Sequence, residues 1–274
     1  SFHVTGVQTC ALPILIPPET AAALSSLAAS PARAAALRAA DRVVTRSPHA
    51  MARIHVEGTL PGQGIYDQSA EALRDLPAAR DLALAARLTG DARYAEASVR
   101  LMAAWIETYQ VAFNPIDETG FDMLMVAWDL LSPERRAGLE MGYGRMLQAL
   151  ARGYLDHPLK GGTAINNWNS HRVKLIALAA FALDDPALIA EARAAYVVQL
   201  RANIRADGRT VDFELRDAIR YVVFDLEPLA TVALAARQHG QDWMEEADGA
   251  LIRALAWLEP YAIGSRTHEE FANT

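Results

Sequence analysis

Hydrophobic residues recur along this chain at the three-to-four-residue spacing of amphipathic helices. After Asp91, for example, Tyr94, Ala97, Leu101 and Trp105 fall on one helical face, and charged residues mostly occupy the other. Alternation of apolar and polar residues at period two, which marks a half-buried strand, is nearly absent. The pattern therefore predicts an all-α protein.

A helix–turn–helix pattern occurs at least three times. Each copy has an apolar helix, a tight turn with Gly or Asp, and a second helix that Asp91, Asp185 or Asp242 can cap. The copies are spaced too irregularly for a strict solenoid. We therefore expect antiparallel helical hairpins curled into an α/α toroid, whose inner helices, such as 175–183 and 229–236, are apolar nearly all round.

Helix boundaries follow from proline, glycine and capping residues. The sequence predicts helices at 19–29, 31–46 and 117–131, a loop at 47–66, and a helix from Ser132-Pro133-Glu134 to about residue 155.

The first residues of the chain differ in composition from the sequence that follows. Residues 1–14 share nothing with the Ala- and Arg-rich sequence that follows, and we interpret them as a non-native leader. Residues 15–274 are then expected to form a single domain, truncated at the C-terminus and also at the N-terminus, which makes the predicted toroid incomplete. The one cysteine, Cys10, lies in the leader, so no disulfide or thiolate metal site is expected.

Composition narrows the class of protein further. With 274 residues, 52% of them hydrophobic, the chain can bury one sizeable core, and no apolar run is long enough to span a membrane. The net charge of -7 argues against general nucleic-acid binding. The histidines form no metal-binding spacing and no phosphate loop is present, so no metal or cofactor is expected.

The first candidate site is a polar heptad, Asn166–Arg172, which opens the apolar run 173–183. Its amides can hydrogen-bond the hydroxyls or a carboxylate of a sugar, and the face of Trp168 can stack on a pyranose ring. The alternative is a helix start capped by Asn or Ser, with His171 at the surface.

The second candidate site lies further along the chain. If this segment is helical from about residue 213, Arg216 and Arg220 share a face at i, i+4, and Tyr221 lies on the neighbouring face. Two guanidinium groups beside a phenol can bind a carboxylate. The alternative is a salt-bridged helix whose charged residues neutralise one another, namely Glu214, Arg216, Asp217 and Arg220.

Together the two segments resemble the alginate lyase domain family, which are helical-toroid polysaccharide lyases. That family has Asn-Asn-(His or Trp) at the start of an inner helix, later a Gly followed by Glu-Leu-Arg/Lys, then a Tyr and an aromatic-x-Leu-x-Pro-Leu run. The match covers about residues 115–260. The corresponding residues here are Asn166-Asn167-Trp168, Gly208, Glu214-Leu215-Arg216, Tyr221 and Phe224–Leu229.

The resemblance implies roles for individual residues. Tyr221 corresponds to the catalytic tyrosine, Asn167 to the asparagine that helps to neutralise the substrate carboxylate, and Arg216 lies near the family's arginine. The better-known members have His directly after the paired asparagines, whereas this chain has Trp168 there and His171 three residues on. Either His171 supplies the imidazole, or Tyr221 works without a histidine base. The expected substrate-binding residues are Asn166, Trp168, Arg172, Arg220, Tyr66 and His268.

The resemblance also implies the reaction, which is β-elimination of a 4-linked uronate polymer such as alginate or a glucuronan. Neutralising the C6 carboxylate stabilises the enolate-like intermediate, and no metal is required. The expected partner is an acidic polysaccharide, and the expected location is periplasmic or secreted. One alternative is a glycoside hydrolase with two facing carboxylates, for which Asp212 and Asp122 are candidates. The other is a non-catalytic helical-repeat binding scaffold, in which the two polar segments would lie far apart.

Overall fold

The structure is a computed structural model that describes residues 13–273, so most of the predicted leader lies outside the described residues. Within that range the regular structure is helical, apart from one isolated bridge between Ile204 and Thr210. The all-α prediction is confirmed. The α-helices are α1 Pro18–Ser25, α2 Pro31–Val43, α3 Tyr66–Leu73, α4 Asp75–Thr89, α5 Ala92–Thr108, α6 Asp122–Leu130, α7 Pro133–Arg136, α8 Glu140–Asp156, α9 Asn167–Ala182, α10 Pro186–Asn203, α11 Val211–Arg216, α12 Ile219–Gln238 and α13 Glu246–Ala262.

The described residues form two compact units. The first contains residues 13–112, 120–149 and 182–184, and the second contains 113–119, 150–181 and 185–273. None of the described helices is both long enough and apolar enough to cross a membrane.

In the first unit, α4 packs against α2, α5 and α6. Helix α4 ends at Gly90, which has a positive φ of 73°, and Asp91 then caps α5 by accepting a hydrogen bond from the Arg93 amide. The predicted core face of α5 is buried as expected, including Leu101 and Trp105.

The described end of the predicted leader also packs in the first unit. Ile14 is fully buried. The backbone amides of Ile14, Leu15 and Ile16 donate to one carboxylate oxygen of Asp129 at 3.0, 2.9 and 3.2 Å. Burial raises the pKa of Asp129 to about 6, against the effect of these three hydrogen bonds.

Several predicted helix boundaries in this unit differ from the structure. The helices expected at 19–29 and 31–46 end earlier, at Ser25 and Val43. The helix expected from residue 117 begins at Asp122, after a short 3-10 turn at Thr119–Phe121. The single helix expected after Ser132 is divided into α7 and α8, because the chain takes a positive φ of 90° at Gly138.

In the second unit, the apolar part of α9 is buried all round from Val173 to Phe181. This confirms the prediction of an inner helix there. Helix α10 is capped by Asp185, which accepts from the amides of Ala187 and Leu188 at 2.9 and 3.1 Å. Helix α12 packs against α11 and α13, and α10 also packs against α13.

The helix expected from about residue 213 is interrupted. Asp217 adopts the left-handed conformation, with φ 48° and ψ 46°, and ends α11 before α12 begins at Ile219. Arg216 and Arg220 therefore lie on different helices, and the predicted shared face is wrong. The interruption between α11 and α12 is held by residues near the C-terminus that bind Asp217. The amides of Phe271 and Asn273 donate to it, and the His268 ring lies 2.8 Å from its carbonyl oxygen.

Candidate active site

The polar heptad forms the first turns of α9 and is mostly buried. Asn166 caps the helix, because its side-chain oxygen accepts a hydrogen bond from the Trp168 amide at 3.0 Å. Asn166 and Asn167 are 7% and 2% exposed, while Trp168 is half-buried. Asn166 therefore caps the start of the helix, which was the alternative to its binding a sugar through its amide.

A buried polar layer joins the start of α9 to α10 and α12. Gln199 donates to the Asn166 carbonyl at 3.0 Å and to the Ser170 hydroxyl at 2.9 Å. Ser170 donates to Asp225 at 2.6 Å, and the amide of Asn203 donates to both oxygens of the same carboxylate at 2.7 and 2.6 Å. All five residues are buried. The layer fixes three helices against one another, because each buried polar group finds a partner on a neighbouring helix.

A second buried carboxylate, Asp212, holds Asn167. One oxygen accepts the Asn167 backbone amide at 2.7 Å, and the other accepts its side-chain amide at 2.6 Å. The Nε of Arg216 lies 3.5 Å from the latter oxygen. Burial raises the pKa of Asp212, and the hydrogen bonds from Asn167 and the charge of Arg216 oppose that rise.

Two guanidinium groups surround the ring of Tyr221. The central carbon of Arg216 lies 4.1 Å from the ring centroid, and that of Arg220 lies 5.7 Å away. Tyr221 is half-buried, and the side chains of Arg216 and Arg220 are 37% and 67% exposed. The aromatic ring of Phe271 lies 6.4 Å from that of Tyr221 between centroids.

The charged residues of this segment do not neutralise one another as the alternative interpretation required. Glu214 pairs with Arg205 at 2.7 Å, whereas Arg216 pairs with Asp212. Arg220 comes only within 4.0 Å of Glu270. Two partly exposed cationic groups therefore stay beside the phenol.

His171 is fully buried. Its Nδ1 lies 2.6 Å from the hydroxyl oxygen of Thr119, and its ring packs 4.1 Å from that of Phe224. Burial and the nearby charge of Lys174 lower the pKa of His171 to about 3. The imidazole is neutral in this environment.

Three other predicted residues have the following positions. Arg172 is buried and donates to the Tyr154 carbonyl from Nε and Nη2 at 2.9 and 2.6 Å. His268 binds the backbone of Asp217, as described above. Tyr66 begins α3 and belongs to the first unit. The connected cluster of predicted residues is thus Asn167, Arg216, Arg220 and Tyr221.

Sequence reasoning missed three residues of the polar layer, namely Gln199, Asn203 and Asp225. Gln199 and Asn203 lie four residues apart in α10, and Asp225 lies four residues after Tyr221 in α12. Polar residues at helical spacing within apolar runs are a signal of a shared buried face. That signal was present in the sequence.

The geometry bears on the glycoside-hydrolase alternative, on the binding-scaffold alternative and on metal binding. Asp212, a candidate carboxylate for a glycoside hydrolase, is fully buried, and Asn167 occupies both its oxygens. The binding-scaffold alternative expected the two polar segments to lie far apart, but Asp212 and Asn167 join them. Among the described residues, no group of three or more His, Cys, Asp or Glu side chains is placed to hold a metal.

Known proteins give an independent comparison. The sequence model of the alginate lyase family matches residues 21–271. A search of curated proteins finds no match. An alginate lyase from Bacteroides ovatus has a similar structure, with 20% sequence identity, a TM-score of 0.69, and coverage of 92% of this chain and 83% of the other.

Alginate lyase A1-III is also similar. Its structure from Sphingomonas species A1 has 17% identity and a TM-score of 0.62, covering 90% of this chain and 78% of the other. A histidine-to-alanine variant complexed with tetrasaccharide has 18% identity and a TM-score of 0.64, covering 98% and 83%. These likenesses confirm the predicted helical-toroid class of fold. Because the family match extends over most of the sequence, the chain belongs to the alginate lyase family and is a polysaccharide lyase.

Proposed function

We propose that this lyase cleaves 4-linked uronate polymers, such as alginate or a glucuronan, by β-elimination, with Tyr221 as the proton-transfer group. The observation that carries the proposal is the pair of guanidinium groups beside the half-buried Tyr221 ring, at 4.1 and 5.7 Å. One of them, Arg216, is linked through Asp212 to Asn167. An acidic polysaccharide suits this cluster, because its carboxylates complement the two arginines.

Charge neutralisation makes the first chemical step feasible. The H5 proton of a uronate is weakly acidic, and its removal places negative charge on the C6 carboxylate. Arg216 and the amide of Asn167 stabilise that charge as it develops, and fixed donors of this kind supply a large part of the rate in many enzymes. The C4–O bond then breaks, the leaving oxygen takes a proton, and a C4–C5 double bond remains.

His171 is unsuited to be the base. Its imidazole is fully buried, and its pKa is lowered to about 3, so it is both inaccessible and weakly basic. Tyr221, acting as the phenolate, then takes H5 and passes the same proton to O4 as the C4–O4 bond breaks. One group can do both only where H5 and O4 lie on the same face of the sugar, as in D-mannuronate and D-glucuronate. In L-guluronate the two lie on opposite faces, so we expect polyguluronate to be the poorest substrate.

Further substrate contacts are assigned by exposure. Trp168 is half-buried and Arg220 is largely exposed, which suits stacking on a sugar ring and binding a second carboxylate. The side-chain oxygen of Asn166 already accepts the Trp168 amide, and the guanidinium of Arg172 already donates to the Tyr154 carbonyl. We assign both residues to holding the start of α9. A periplasmic or secreted location fits a polymeric substrate, and it rests on the family alone.

The test is the ultraviolet absorbance of the unsaturated uronate product, measured with polymannuronate, glucuronan and polyguluronate. Tyr221→Phe should lower kcat by roughly 10²–10⁴-fold, the usual contribution of a general acid–base group. The matched control is Tyr261→Phe, since Tyr261 is also half-buried and Arg266 lies 5.0 Å from its ring centroid. Wild-type activity in Tyr221→Phe, or no unsaturated product from any of the three polymers, would contradict the proposal.

A further inference from the structure

The environment of Asp212 is unusual for a purely structural carboxylate. It follows Val211 at the start of α11, and its side chain is fully buried. Both oxygens accept from the same residue, Asn167, through the backbone amide at 2.7 Å and the side-chain amide at 2.6 Å. Together the two hydrogen bonds fix both the position of the Asn167 backbone and the rotation of its side chain.

These two hydrogen bonds also fix the orientation of the Asn167 side-chain amide. A carboxylate accepts hydrogen bonds and an ionised one cannot donate, so the nitrogen of the amide must face Asp212. The second hydrogen on that nitrogen and the amide oxygen are thereby assigned to fixed directions. An asparagine held in this way meets the substrate carboxylate without first losing side-chain freedom.

The same carboxylate also pairs with a residue of its own helix. Its Oδ1 lies 3.5 Å from the Nε of Arg216, one turn later on α11. The guanidinium of Arg216 lies in turn over the Tyr221 ring, at the beginning of α12. Pairing through Nε restrains the guanidinium, while 37% of the side chain remains exposed.

We propose that Asp212 is a positioning residue for the elimination reaction, which holds Asn167 and Arg216 in the arrangement that receives the substrate carboxylate next to Tyr221. The inference rests on the proposed function, since it assumes that these three residues meet the substrate. Asp212 itself is buried beneath them and touches no sugar. Its contribution is to kcat, because the negative charge that Asn167 and Arg216 stabilise is greatest in the transition state.

The first experiment compares Asp212→Asn with Asp225→Asn. An asparagine at position 212 has one acceptor oxygen and a donor nitrogen, so it cannot accept from both groups of Asn167, and it also removes the charge partner of Arg216. We expect a fall in kcat of about 10²-fold. Asp225 is an equally buried carboxylate in the same unit, but its partners are Ser170 and Asn203. Asp225→Asn should change the melting temperature and leave kcat within about threefold of wild type.

A merely structural Asp212 predicts a different result. Its replacement would then lower the melting temperature and the amount of active enzyme, with an unchanged kcat per folded molecule, as for Asp225→Asn. That outcome overturns the proposal. Asp212→Ser provides a second variant should Asp212→Asn not fold. Its small hydroxyl can turn its hydrogen away from the Asn167 donors, and it should lower kcat to a similar extent.

A double-mutant cycle with Asn167→Ala tests whether Asp212 acts through Asn167. If it does, Asp212→Asn should lower kcat by a smaller factor in the Asn167→Ala background than in the wild type. Independent, multiplicative effects on kcat would overturn the proposal. Tyr221→Phe reports separately on the proposed function. If Tyr221→Phe is inactive and Asp212→Asn is fully active, only the positioning role is refuted. If Tyr221→Phe is active, the proposed function itself is refuted.

Discussion

Asp225 makes the stability of this fold depend on pH. Burial raises its pKa from 3.8 to about 7, the charge of Asp212 adds to the rise, and the hydrogen bonds from Ser170 and Asn203 oppose it. In the unfolded chain the carboxyl group titrates near its ordinary pKa. Between these two pKa values the folded protein binds more protons than the unfolded chain, so the free energy of unfolding falls as pH rises.

The size of the effect follows from the two pKa values. The contribution is complete below the unfolded pKa of 3.8 and is lost as pH rises through the folded pKa of about 7. A shift of roughly 3 units corresponds to a total of about 4 kcal/mol. Between pH 5 and pH 8 the expected loss is roughly 2–3 kcal/mol, because part of the titration of the unfolded chain is complete by pH 5.

The assay is urea unfolding, followed by circular dichroism, of the wild type and Asp225→Asn at both pH values. Asparagine does not titrate, so the wild type should lose roughly 2–3 kcal/mol more than the variant between pH 5 and pH 8. Other groups with raised pKa values, such as Asp129, contribute to both proteins and cancel in the comparison. Equal losses in the two proteins would mean that Asp225 is already ionised in the fold at pH 5, and the reasoning would be refuted.

Two further predictions concern single residues. His171→Asn should keep kcat within about tenfold of wild type, since a lost general base would cost roughly 10²–10⁴-fold; a larger loss of kcat in folded protein would restore His171 as the base. Gly208→Ala should destabilise the fold by about 2 kcal/mol more than Gly264→Ala in urea unfolding. Both glycines have positive φ, but a Cβ at Gly208 would lie 2.5 Å from the Arg253 carbonyl oxygen, whereas nothing lies within 4 Å at Gly264. Equal costs would show that the chain shifts to make room at Gly208.

Local signals allowed much of the helical fold to be predicted. The cap at Asp91 and the buried face with Leu101 and Trp105 depend on residues a few positions apart, and both are present. The break at Asp217 could not be predicted in this way. The sequence around it is continuous with a helix, and the positive φ of 48° is accompanied by contacts from His268 and Asn273, more than fifty residues later.

In the candidate site, too, features that depend on neighbouring residues could be predicted, and features that depend on residues far along the chain could not. The sequence marked Asn167, Arg216 and Tyr221 as candidates but did not reveal their accessibility. The heptad looked exposed because polar side chains usually are. Its amides are instead satisfied by Gln199 and Asp212, which lie about thirty and forty-five positions away along the chain. A polar residue can be buried when such partners exist, and a single sequence does not reveal them.

Exposure also divides the work between the proposed site residues. Asn167 is 2% exposed, so it has little freedom to adjust and must be in place before the substrate binds. Arg220 is 67% exposed, which suits it to capture a carboxylate from solution. Arg216 lies between these extremes, because Asp212 restrains it from within while its outer surface stays open. Fixed groups stabilise a transition state more effectively than mobile ones, since they need no reorganisation during the reaction. The buried carboxylate Asp212 therefore links the rigid part of the site to its adaptable part, and the rate should depend on that link more than on any exposed charge.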